Sequence, residues 1–185
     1  MTLSLRNAKH TLYKELIESA CHTNGLKPAL IYAVIQVESG FNTYAWNPEP
    51  HYRWFWDVRN DRPFRPSSTI EVASKYPPKD FPCLAGDPDQ EWWGQQASWG
   101  LMQMMGAVGR EAGYKGPYLP GLCFPDINIA LGTKFLATLI KRKNNLHGVR
   151  GGLSAYNTGS PDNADGPYVQ KVEAAYLQYS NGVPL

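Results

Sequence analysis

The sequence predicts a mainly α-helical fold interrupted by one long irregular insertion. Three observations support that expectation. Apolar side chains recur at spacings of three and four, the period of an amphipathic helix, within residues 5–43 and again from Pro125 to Tyr179. Residues 44–98 hold eight of the 15 prolines and five of the six tryptophans, and proline is excluded from helix interiors. The 185 residues, 43% of them hydrophobic, suffice to bury a core, so a single domain over 1–185 with an insertion at about 44–98 is expected.

The first helix, from about Leu3 to Cys21, takes Leu5, Ala8, Leu12, Leu16 and Ala20 as its apolar stripe, and Asn24-Gly25 turns the chain after it. A second helix starts near Pro28, a residue tolerated in a first turn, and stops at Gly40. Its Leu30, Ile31, Ala33, Val34, Ile35 and Val37 cover most of the circumference, which marks a buried helix. In the insertion, HYRWFWDVR alternates like one short strand, and Ser68 to Lys75 reads as one short helix. Asp87, Asp89 and Glu91 read as solvated loop charges. Trp46, Trp54, Trp56, Trp92, Trp93 and Trp99 are expected mostly to pack a small core, with at least one bordering a cleft.

Gly106, Gly109 and Gly113 limit the segment after SWGLMQMM to a short helix. Pro125-Asp126 then opens a stronger one, with Asp126 as N-cap and Ile127, Leu131, Phe135, Leu136, Leu139 and Ile140 facing inward. It closes in Lys141-Arg142-Lys143, a solvated basic end that suits the helix dipole. Gly148, Gly151 and Gly152 read as a break before LSAYNTG, and a last helix runs from about Pro167 to Tyr179.

Composition excludes several function classes. Eighteen basic and 16 acidic residues, a net charge of +2, are too balanced for a nucleic-acid binder by bulk electrostatics. No run of about 18 apolar residues is available to insert into a membrane. Cys21, Cys83 and Cys123 form no CxxC pair, and His10, His22, His51 and His147 have no ligand spacing. No metal and no cofactor are therefore expected, and the three thiols are expected to be reduced. The first twenty residues scatter Arg6, Lys9, Lys14, Glu15 and Glu18 among apolar positions, so no secretory leader is read and synthesis in the cytoplasm is expected.

Glu38 is the first candidate for chemistry. It follows Val34 by four residues and Leu30 by eight, on or beside a buried face at its helix's end. Desolvation disfavours a charged carboxylate and raises its pKa. An acid kept protonated near neutral pH can donate to a glycosidic oxygen. The same periodicity also allows a glutamate that turns outward in the last turn.

Four ordered blocks bear on that choice: Glu38-Ser39-Gly40, Gly100-Leu101-Met102-Gln103, Ala155-Tyr156-Asn157-Thr158-Gly159 and Tyr168-Val169-Gln170-Lys171-Val172. Together with Asp126-Ile127-Asn128-Ile129 they resemble the soluble lytic transglycosylase family of the goose-type lysozyme superfamily, over roughly residues 5–43 and 97–180. The resemblance implies a lysozyme-like helical fold. It also implies cleavage of the β-1,4 bond between N-acetylmuramic acid and N-acetylglucosamine in peptidoglycan, with closure of a 1,6-anhydro ring. It gives Glu38 the role of general acid and then base, and sets Tyr156 beside it. Ser39 would bind the substrate N-acetyl group, Gln103 sugar groups and Asn157 sugar or loop. Gly100 would allow close backbone approach, Met102 would supply an apolar wall, and Tyr168 would line the cleft. Trp99 is a candidate sugar-stacking wall.

Two alternatives stand beside this reading. A hydrolytic lysozyme would need a second carboxylate, from among Asp57, Asp87, Asp89, Glu91 and Asp126. A non-catalytic wall-binding or virion module would need no acid at all. The expected partner is a peptidoglycan strand and the expected state a monomer. Wall chemistry without a leader suggests a phage lysin or virion-associated protein.

Overall fold

A computed structural model of the chain describes residues 11–183 and 185. In chain order its elements are α1 (Lys14–Asn24), α2 (Pro28–Glu38), β1 (Trp46–Pro48), β2 (Trp56–Asp57), β3 (Arg62–Pro63), α3 (Thr69–Ala73), α4 (Pro88–Gln95), β4 (Ala97–Trp99), β5 (Met104–Met105), α5 (Gly106–Glu111), a 3₁₀ turn (Leu119–Cys123), α6 (Pro125–Ile140), α7 (Gly148–Thr158) and α8 (Pro167–Tyr179). The mainly helical class predicted from periodicity is what the structure has. The chain forms two compact units, one of residues up to Phe41 and from Gly132 onward, the other of Asn42–Leu131. Helix α6 begins among residues of the second unit and ends among those of the first.

In the first unit α2 is central. Leu30, Ile31, Ala33, Val34 and Ile35 are all buried, and the helix packs on α1 and α8. Pro28 opens it, as expected of a residue whose missing N–H costs a first turn nothing. Helix α8 likewise opens on Pro167 and buries Val169, Val172, Ala175 and Tyr176. Helix α1 departs from the predicted stripe. Leu12 is 70% exposed and Leu16 36%, whereas Tyr13, Ile17, Ala20 and Cys21 are buried; Leu5 and Ala8 lie outside the described residues. Two apolar rows run side by side on α1, and the buried row is the one that includes Ile17 and Cys21. The helix ends on Gly25, whose left-handed backbone (φ 71°) caps it.

The expected glycine break is instead the first turns of α7. A Cβ at Gly152 would collide with Ile140, and one at Gly151 with the Asn145 amide. These residues lack side chains so that neighbouring chain can approach closely, a need that outweighs the helix propensity of about 1 kcal/mol each forfeits.

The second unit contains an antiparallel sheet in the order β1-β4-β5, with Trp46 opposite Trp99 and Ser98 opposite Met105, and a separate β2–β3 pair. The strand read across HYRWFWDVR shrinks to Trp56–Asp57. Helix α3 starts at a reciprocal capping box between Ser68 and Glu71. The insertion has its own core of Phe55, Val72, Phe81 and Trp92, with Phe64 against it and Phe55 stacked on Trp92 at 4.1 Å. Phenylalanine fills that core more than tryptophan does: only Trp92 is fully buried, and Trp46, Trp54 and Trp93 are exposed. A second cluster joins Tyr114, Leu119 and Leu122, flanked by Trp99, Ile127 and Leu131. Asp126 stands within the first turn of α6 rather than at its cap. Along that helix Ile129, Leu136 and Leu139 are buried together with Asn128 and Thr133, while Phe135 and Ile140 are half-buried.

Helix α4 was not expected. Asp87 caps it, accepting the Gln90 N–H at 3.0 Å, and Pro88 occupies its first turn. Glu91 is thereby no solvated loop charge. It is buried against Arg110, with Nε–Oε1 at 2.9 Å and Nη2–Oε2 at 2.6 Å. Gln95 also donates to Glu91 at 2.9 Å, and Arg110 Nη1 donates to the carbonyls of Tyr114 and Gly116. A buried pair is tolerated only when hydrogen bonds of this kind satisfy both ions. Glu91→Ala is therefore expected to destabilise the protein by about 3–5 kcal/mol, and Glu91→Leu combined with Arg110→Met by much less. Urea denaturation of the three proteins measures both.

Candidate active site

The first unit holds five of the sequence-predicted residues, and three of them, Glu38, Asn157 and Tyr168, line one cavity. Glu38 sits in the last turn of α2, and across from it the N-terminal turn of α8 presents Tyr168. The Tyr168 hydroxyl donates to Glu38 Oε1 at 2.5 Å. The packing of α2 on α8 sets this contact, because Val169 and Val172 of α8 are buried on either side of the turn after Tyr168. A cavity of about 450 Å³ opens beside the pair. Glu38, Tyr168 and Asn157 line it with Val37, Ser154, Thr158, Asn163, Gly166, Pro167, Val169 and Lys171.

Burial pushes the Glu38 carboxyl up to about 7, against a smaller downward pull from the Tyr168 hydroxyl. Near neutral pH the group therefore divides between a proton donor and its conjugate base. The Tyr168 phenol is pushed far up, first by burial and then by the neighbouring Glu38 charge and the bond to it. Tyr156 is also pushed up by burial and by Glu38, and its ring is half-buried and packs on Phe135 with centroids 5.7 Å apart. Both tyrosines thus keep their protons at any pH at which Glu38 titrates. The sequence set Tyr156 beside the acid and Tyr168 in the cleft lining. The Tyr168 hydroxyl meets the Glu38 carboxylate oxygen, and Tyr156 lies near enough for the Glu38 charge to act on it.

Ser39 follows Glu38 at the C-cap of α2, half-buried, and its hydroxyl donates to the Ile35 carbonyl at 3.2 Å. Asn157 is exposed at the cavity wall. Ser154, not singled out in the sequence, is 2% exposed and ties the wall together. Its hydroxyl donates to the Ser160 carbonyl at 2.7 Å and accepts the Asn163 N–H at 3.2 Å. Glu38 is the sole carboxylate among the described residues lining this cavity.

The other predicted residues belong to the second unit, where they form one turn. Gly100 to Gln103 join β4 to β5, with φ of 73° at Gly100 and 47° at Gln103. Asn128 of α6, fully buried and given no role of its own in the sequence, holds that turn. Its Oδ1 accepts the Met102 N–H at 2.7 Å, and its Nδ2 donates to the carbonyls of Trp99 and Leu122, each at 2.8 Å. A Cβ at Gly100 would lie 2.6 Å from that Nδ2, so the close approach permitted by Gly100 is to Asn128. Met102 is buried. The Gln103 amide donates to the carbonyls of Ala45 at 3.2 Å and Gly100 at 2.9 Å. Trp99 is half-buried, donates its indole N–H to Gly94 and lies 6.2 Å from Trp46. A polar residue amid the apolar run Ile127-Asn128-Ile129 was the available signal for Asn128.

The acids considered as second carboxylates all fall in this unit and most have structural partners. Glu91 binds Arg110, Asp87 caps α4, and Asp126 faces the N-terminal dipole of α6. Asp57 accepts two backbone N–H groups and the Asn60 amide, which hold its carboxyl below the usual range.

A single desolvated acid, bonded to a tyrosine in a polar cleft, is equipped to give and take a proton. Among the described residues no group of three or more potential metal ligands occurs. The family model described as Transglycosylase SLT domain matches residues 15–174, and the chain belongs to that family. No curated protein matches the chain.

The raised Glu38 group makes stability depend on pH. Its folded value of about 7 exceeds the unfolded carboxylate's, so the native state binds the extra proton and stability falls as pH rises from about 4.5 through 7. Glu38→Gln, which keeps an acceptor for Tyr168 and has no charge to bury, is expected to exceed the wild type in stability by about 1–3 kcal/mol at pH 8 and to match it below pH 4.5. Urea titrations at the two pH values measure the difference.

Proposed function

We propose that this protein is a peptidoglycan lytic transglycosylase that cleaves the N-acetylmuramic acid–β-1,4–N-acetylglucosamine bond and leaves a 1,6-anhydromuramyl end. The observation that carries this reading is a lone cavity carboxyl, raised to about 7 and held by Tyr168, in a member of the SLT domain family. Protonated Glu38 gives its proton to the glycosidic oxygen as the C1–O4 bond breaks, and N-acetylglucosamine leaves with a free 4-hydroxyl. The Glu38 carboxylate then removes the proton of the muramyl 6-hydroxyl as that oxygen bonds to C1. The acid is regenerated and no water is consumed. The substrate's own N-acetyl oxygen stabilises the charge at C1, so the cycle needs no second carboxylate, in keeping with a cavity whose lining offers Glu38 alone.

Tyr168 orients the carboxyl and steadies its anionic form between the two steps. Tyr156 adds a second protonated phenol near the acid. Ser39 and Asn157 serve the N-acetyl group and the sugar hydroxyls. Gln103 of the Gly100–Gln103 turn and Trp99 before it, both half-buried, serve sugar binding in a conformation that Asn128 fixes, whereas Met102 is fully buried and supplies core packing in place of the expected apolar wall.

Digestion of purified peptidoglycan followed by mass spectrometry is expected to yield muropeptides one water lighter than hydrolysed ones. Glu38→Gln should release none. Reducing-end products would instead identify a hydrolytic lysozyme, and no products from the wild type on several wall types would leave a binding module. The wild-type kcat/KM is expected to fall above about pH 7, as the carboxyl loses its proton. Tyr168→Phe removes the bond that pulls the carboxyl down, so this alkaline limb should move to higher pH while kcat drops roughly tenfold. A pH–rate profile that is the same in both proteins would remove Tyr168 from the mechanism.

A further inference from the structure

We propose that Lys171 is a specificity-determining residue, whose ammonium binds a carboxylate on the substituent at O3 of the muramyl ring. By this contact the site would distinguish an acidic muramyl strand from a neutral N-acetylglucosamine polymer. The inference rests on the transglycosylase reading above and extends it to what the site demands of its substrate.

Lys171 is exposed and lines the same cavity as Glu38. It lies on α8 three residues after Tyr168, and residues three apart share a helix face. The lysine therefore stands one turn along from the hydroxyl that reaches Glu38. It is the one basic side chain among the described residues of the lining, whose other polar members, Ser154, Asn157, Thr158 and Asn163, are neutral.

The acids close to Lys171 in sequence have partners of their own. Arg150 pairs with Asp165 at 2.9 Å and with Glu173 at 3.2 Å, and Asp162 accepts the Ser160 hydroxyl at 2.6 Å. No described carboxylate lies within ion-pair distance of Lys171. Glu38 does not serve it either. A cation against Glu38 would pull that carboxyl down, and the influences on it are burial and Tyr168. With Glu38 protonated for the first step, the cavity thus presents one uncompensated positive charge to whatever enters.

The chemistry of the polymer supplies the complement. A β-1,4-linked N-acetylglucosamine chain carries no charge. Each muramyl ring carries a lactyl ether at O3 whose carboxyl is free on stripped strands. On intact strands that carboxyl is joined by an amide to a peptide bearing carboxylates of its own. A lysine, as a point charge on a flexible stem, can meet either carboxylate without demanding one geometry.

The test uses the full chain with solubilised uncrosslinked strands, intact or stripped of peptide by an amidase, and with chitin oligomers as the neutral probe. Lys171→Met is expected to raise KM on acidic strands about three- to fivefold, the size of a solvent-exposed ion pair, with kcat unchanged. Lys171→Arg should restore KM. The wild-type KM should rise between 20 and 200 mM salt more steeply than that of Lys171→Met, because salt screens an exposed pair. Chitin-oligomer binding should be equal in all three proteins. An effect confined to stripped strands assigns the lactyl carboxylate, one confined to intact strands a peptide carboxylate, and one on both a site that accepts either. An unchanged KM for Lys171→Met on both acidic substrates, or an equal loss on chitin oligomers, overturns the proposal while the transglycosylase reading stands. Failure of the wild type to release anhydromuropeptides overturns both.

Discussion

The site depends on holding one carboxyl largely out of water without sealing it in. Helix α2 does this by being buried around most of its circumference from Leu30 to Ile35 and then ending, so that Glu38 arrives in its last turn beside a cavity. Desolvation alone would leave a protonated acid of arbitrary orientation. The Tyr168 hydroxyl supplies the orientation and returns part of the lost solvation to the anion. Both residues sit on helix ends, and the distance between them is fixed by apolar packing between α2 and α8 rather than by a loop. Buried side chains of the two helices, such as Val34 and Val172, thereby bear on the geometry of the Glu38–Tyr168 pair.

The second unit solves a different problem, which is how to give a proline-rich stretch a fixed shape. Its helices are short and its strands two or three residues long, so regular backbone bonding cannot do this alone. Two polar centres take over. Glu91, Gln95 and Arg110 form a buried network that ties α4 to α5, and Asn128 ties α6 to the Gly100–Gln103 turn and the 3₁₀ turn. Such centres are favourable only when every member is satisfied, which makes the unit sensitive to single truncations. Around them the aromatic core of Phe55, Phe81 and Trp92 needs no long helix to be formed.

What could be read from the sequence was what local chemistry determines. Pro28 and Pro167 mark the starts of α2 and α8 because a helix accepts proline only in its first turn, and the continuous apolar circumference of α2 marks it as buried. The register of Glu38 placed it on or beside the buried face without excluding an outward turn, and the ordered motif blocks singled it out. The misreadings arise where tertiary contacts choose between locally equivalent options. On α1 two adjacent apolar rows were available, and the row of Ile17 and Cys21 is the buried one. Gly151 and Gly152 look like a breaker until Asn145 and Ile140 are seen against them. Glu91 looks like a loop charge because its partner is 19 residues away, and nothing local announces Arg110. The Tyr168 bond to Glu38 was not legible either, since a separation of 130 residues says nothing about which hydroxyl reaches the carboxylate.

The thiols carry a consequence for chemical durability. Cys21 is buried, and that burial, with Glu18 adding to it, pushes its thiol up to about 12. Burial also raises Cys123, and Cys83 is buried. Nucleophilic attack and oxidation proceed through the thiolate, of which a group at about 12 offers roughly one part in 10⁵ at pH 7. The packing that makes α1 adhere to α2 therefore also makes Cys21 slow to react. Alkylating agents and mild oxidants would meet at that position an apolar filler in place of a nucleophile, whether the surroundings are reducing or not.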